Sequence, residues 1–94
     1  MILKAYSILD VKTGAFGLPF FMHHDQTAIR ACMTAGRDPA TAVSQYPEDY
    51  VLYKIGEYDD NIGQMFSCHH VSLGNVASLL AANSRSVSNL EAAQ

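Results

Sequence analysis

Six side chains draw attention first: the pair His23-His24, then Cys32, then the run Cys68-His69-His70. Histidine and cysteine can together hold zinc, or act as base and nucleophile. Their spacing argues against both. Neighbours on a strand point to opposite faces, so each run offers at most one ligand to one site. No Cys-x-x-Cys or His-x-x-x-His pattern occurs. Cys32 falls on the apolar side of a predicted helix, where a free thiol behaves as a small hydrophobe. Asp59-x-Asn61-x-Gly63 resembles the opening of a calcium loop, but the remaining spacing and the bidentate glutamate are missing. No glycine-rich phosphate loop is present. The residues describe a non-enzymatic protein without catalytic residues, metal or cofactor.

Binding chemistry is the alternative. Lys4, Lys12, Arg30, Arg37 and Lys54 are spread over strands, a turn and a helix. Lys4 and Tyr6 share one face of the first strand, and Lys54 shares a face with Tyr50. Cations alternating with aromatics on a sheet can stack single-stranded bases and hold phosphates. The candidate nucleic-acid-binding set is therefore Lys4, Tyr6, Lys12, Arg30, Arg37, Tyr53 and Lys54, with Tyr6 and Tyr53 as the stacking residues. A net charge of −3 excludes a simple basic clamp. The charge is uneven. Residues 1–38 carry four cations against three carboxylates, whereas residues 39–75 carry one cation against five. The first half is thus the expected polyanion-binding surface.

These groups must be positioned by short elements. Ile2 to Asp10 is apolar on both faces and predicts a central strand. Val11 to Gly14 is a turn, and Ala15 to Met22 a second strand, placed at an edge because Pro19 lacks an N–H. Asp25 is the expected cap of a helix running to Arg37, with Ala28, Ile29, Cys32, Met33 and Gly36 toward the sheet. Gly36, Asp38 and Pro39 read as its stop signal, and residues 40–45 as a loop or short turn. Tyr50 to Tyr58 suits a strand, Asp59 to Gly63 a turn, and Gln64 to His70 its returning partner. Ser72 to Asn75 opens a second helix, with Asn75 as cap and Val76, Leu79 and Leu80 as its stripe.

The fold class is α+β: two antiparallel β-hairpins forming a four-stranded sheet, one helix between them packed on one face, and a short C-terminal helix. Ninety-four residues, 49% hydrophobic and 16% charged, make one domain over 1–83, with 84–94 as a C-terminal tail that extends the last helix or frays. Strand aromatics are too many for one face. The face away from the helix is then an oligomer interface or a base-stacking platform. Neither a transmembrane run nor a signal peptide is read from the sequence, so no membrane is expected.

Several segments carry a resemblance, in order: Tyr6-Ser7-Ile8-Leu9-Asp10, Pro19-Phe20-Phe21, Ala28-Ile29-Arg30-Ala31, Asp38-Pro39, Tyr46 through Tyr53, Gly56-Glu57-Tyr58-Asp59-Asp60 and Ser72-Leu73-Gly74-Asn75. Over residues 2–75 the chain resembles the small nonstructural protein of gokushovirus-type microviruses, bacteriophages with circular single-stranded DNA. The resemblance implies a protein of the host bacterial cytoplasm that binds single-stranded DNA and assists genome synthesis or packaging. A homodimer or larger homo-oligomer is expected. The alternative is an adaptor contacting the phage replication initiator, a capsid protein or a host factor, with the aromatic second face or an edge strand such as the second as its docking surface and the acidic hairpin Glu57 to Asp60 mattering more than the lysines.

Overall fold

The computed structural model describes residues 1–82. The expected tail, residues 84–94, lies outside the described residues. Strand β1 (Ile2–Asp10) is followed by β2 (Ala15–Phe16), β3 (Phe20–Met22), helix α1 (Asp25–Arg37), the single-turn helix α2 (Ala42–Gln45), a 3-10 turn (Pro47–Asp49), β4 (Tyr50–Asp59) and β5 (Gln64–Asn75). Residues 76–82 are helical. All pairings are antiparallel. β2 and β3 both pair with one side of β1, β4 pairs with its other side, and β5 with β4.

The α+β class and the central place of β1 hold. The sheet nevertheless has five strands, because the expected strand Ala15 to Met22 is two. Gly17, Leu18 and Pro19 interrupt it. Pro19 donates nothing to a ladder, and the Gly17 N–H instead donates to the Ile8 carbonyl at 2.9 Å. β5 runs further than expected, through Asn75, and the helix starts directly after it. Asn75 Oδ1 does accept from the Ser78 N–H at 3.3 Å, as a cap should.

Helices α1 and 76–82 cover one face. Tyr6, Leu52, Ala28, Cys32 and Val76 form the buried centre, ringed by Ile8, Phe20, Met22, Tyr50, Leu79 and Leu80. Gly36 is not a stop residue. It lies inside α1, where a β-carbon would meet Val76 at 3.1 Å and Leu80 at 3.2 Å. Its missing side chain lets the two helices approach. Asp25 does not cap α1 either; His24 holds that position without a side-chain bond. The Asp25 carboxylate accepts from the Tyr6 hydroxyl at 2.6 Å and lies 3.8 Å from Lys4 Nζ.

Candidate functional site

Strand alternation puts Leu3, Ala5, Ser7 and Leu9 of β1 on the face away from the helices. Ala5 and Ser7 are fully buried there, although no helix covers them. Aromatic side chains from the flanking strands cover them instead. Phe21 of β3 meets Tyr58 of β4 with ring centroids 5.6 Å apart. Phe16 of β2 meets Tyr53 of β4 at 5.7 Å. His70 of β5 lies 5.3 Å from Phe16 and 6.2 Å from Tyr53. β3 and β4 flank β1 from opposite sides, about 10 Å apart. Their rings can therefore meet only by leaning over β1, and only small side chains beneath leave room.

The second bridge also requires curvature. Phe16 and His70 are three strand positions apart, about 14 Å on a flat sheet. Bulges supply the bend: Cys68, His69 and His70 all stand opposite the single residue Ile55. The result is two aromatic bridges in line along β1, Phe21–Tyr58 and then Phe16–Tyr53–His70. Phe16 keeps 42% and Phe21 39% of its surface exposed. Met65, the register partner of Tyr58, is also exposed. The surface is aromatic and able to stack flat ligands.

The candidate set from the sequence is divided by the structure. Tyr53 sits on this face. Tyr6 does not: it is fully buried, stacked on Phe20 at 5.8 Å, and offers no ring face to a base. Burial and its bond to Asp25 push the Tyr6 hydroxyl far above the ordinary tyrosine range. Lys4 and Lys54 do share faces with Tyr6 and Tyr50, but the face is the helix-covered one. Lys4 is drawn to Asp25, and Lys54 is the register partner of Tyr6. Arg30 and Arg37 are exposed on α1. Lys12 lies in the turn between β1 and β2, four residues before Phe16. The cations thus are not gathered with the aromatics. Phe16, Phe21, Tyr58 and His70 belong to the face without having been in the set. Their signal was alternation: Ala5 and Ser7, small in an otherwise apolar strand, mark where neighbours cross over.

Chemistry elsewhere is muted. Cys32 is enclosed, and burial raises its thiol from 9 to about 11, the reverse of an activated nucleophile. Among the described residues no three His, Cys, Asp or Glu side chains gather. No helix among them is long and apolar enough to cross a membrane. The Asp59 carboxylate accepts the Asn61 N–H at 3.0 Å, an ordinary turn contact.

Fold and surface define a small α+β protein whose distinctive feature is an open aromatic sheet face. Its family can be stated outright: residues 3–79 match the family described as Phage ORF5 protein, and the chain belongs to it. It is a bacteriophage protein. No curated protein and no solved structure matches it.

Proposed function

We propose that this phage protein binds single-stranded DNA without catalysis, on the open face of the sheet, in the cytoplasm of the infected host. On this reading it is the nonstructural protein of a gokushovirus-type microvirus, the group its sequence resembles, and assists genome synthesis or packaging. The observation that carries the proposal is the pair of aromatic bridges along β1, with Phe16 and Phe21 exposed. Bases stack on such rings without regard to sequence. Unpaired bases expose the π-faces that this surface accommodates. Lys12, in the turn four residues before Phe16, is the candidate contact for the phosphate backbone.

Fluorescence anisotropy of labelled single-stranded DNA, with duplex as control, tests the reading. The expected result is preference for the single strand, weakened at least about fivefold by Phe16→Ala and by Phe21→Ala. Equal binding by the variants, or none by the wild type at low salt, overturns it. In the latter case a protein partner is the remaining function. Charge reversal at Asp59 and Asp60 would then impair capture of that partner.

A further inference from the structure

Leu18 is the most exposed large hydrophobic side chain described, at 92%. It is not on a loose loop. On one side Gly17 is pinned twice: its N–H donates to the Ile8 carbonyl at 2.9 Å, and its carbonyl accepts from the buried Ser7 hydroxyl at 2.7 Å. On the other side stands Pro19, which restricts the backbone of the residue before it. The restrained backbone therefore holds an apolar side chain out to solvent.

Beside the knob is a hole. An open cavity of about 420 Å³, mainly apolar, lies between the interrupted edge and α2, with Ile8, Phe16, Phe20, Val43 and Tyr50 in its walls and Leu18 at its rim. A bare leucine next to an open apolar cavity has the two complementary halves that an isologous contact needs. A second copy related by a two-fold would offer the same knob and the same hole, so one patch could satisfy itself. A different protein would have to supply both a knob and a hole. The neighbouring rim carries both signs, Lys12 with Asp10 and Asp49, so two copies can meet without opposing only like charges. Exposed Val11 and Tyr46 widen the apolar patch at the same end of the molecule.

We infer that this patch is a homodimer interface, with the occupant of each cavity being Leu18 of a second copy. The contact does not depend on DNA, although Phe16 belongs both to the cavity wall and to the aromatic face.

Light scattering coupled to size exclusion, on the full chain without DNA and over a range of protein concentrations, is the test. The wild type is expected to be a dimer at high concentration. Leu18→Glu is expected to be a monomer with an unchanged thermal midpoint, because a side chain this exposed contributes little to the fold. Leu18→Ala should weaken the dimer at least about tenfold, by loss of buried apolar area. Val43→Glu, which charges the cavity wall, should give the same monomer from the other side of the contact. A monomeric wild type at all concentrations, or a Leu18→Glu variant that remains dimeric, overturns the inference.

Discussion

Gly56 lies so close beneath the carbonyl of Phe66 on β5 that a β-carbon at that position would collide with backbone. The contact sits at the bulge where β4 and β5 change register, between the pairs Lys54–Val71 and Gly56–Ser67. The bulge bends the sheet and carries His70 onto the aromatic face, so this one glycine supports both curvature and surface.

Gly56→Ala is therefore expected to destabilise the protein by about 1–3 kcal/mol, as overpacking against an unyielding neighbour does. Urea unfolding measures it. Because the strain falls on the bulge, DNA binding should also weaken under conditions where the variant is still folded.

Tyr6→Phe separates structure from binding. It removes the hydroxyl that donates to Asp25 and keeps the ring that stacks on Phe20. Asp25 is partly exposed, so water replaces much of the lost bond, and the expected cost is about 1 kcal/mol. Denaturant midpoints check this. Affinity for single-stranded DNA should not change, since Tyr6 faces the helices.

Alkali should loosen the core. Burial raises the Cys32 thiol from 9 to about 11. A group whose folded value is raised holds its proton more tightly in the folded state, so its contribution is complete below about pH 9 and is lost as pH climbs to about 11. Tyr6, also raised, extends the loss to higher pH. Thermal midpoints measured across this range should fall steadily, and Cys32→Ala should flatten the first part of the fall.

Salt should matter little to DNA binding. Each phosphate neutralised on a single strand adds about −0.7 to the slope of log affinity against log salt. Because the described cations are not gathered with the aromatics, the slope should be shallow, about −0.7 if Lys12 neutralises one phosphate. Lys12→Ala should flatten it, whereas Lys4→Ala should leave it unchanged. A steep slope abolished by Arg30→Ala and Arg37→Ala would move the DNA to the helical side.

Much of the architecture was legible in the chain. The α1 stripe of Ala28, Cys32 and Met33 follows helical spacing, and all three are buried. The turns at Gly14 and Gly63 fall where expected, both with positive φ. These features are local: spacing, backbone freedom and turn chemistry act within a few residues. The break of the second strand was only half legible, because Pro19 marks an edge without showing that Gly17 will turn inward to bond Ser7 and Ile8.

Sequence by itself determined which residues could share a face, because alternation along a strand is fixed by backbone geometry. It placed Lys4 with Tyr6, and it required that Phe20 and Phe21 part. Only the tertiary structure decided which face the helices would cover. Burial went to the face of Tyr6, Ile8 and Leu52, the one that α1 and the helix at 76–82 can pack against. That choice hid Tyr6 and left Phe16 and Phe21 in the open. The long-range pairing of β1 with β4 and the bulges in β5 then brought Phe16 to His70, residues 54 positions apart in the chain. No local pattern encodes such a meeting, because it depends on the curvature that the whole sheet adopts.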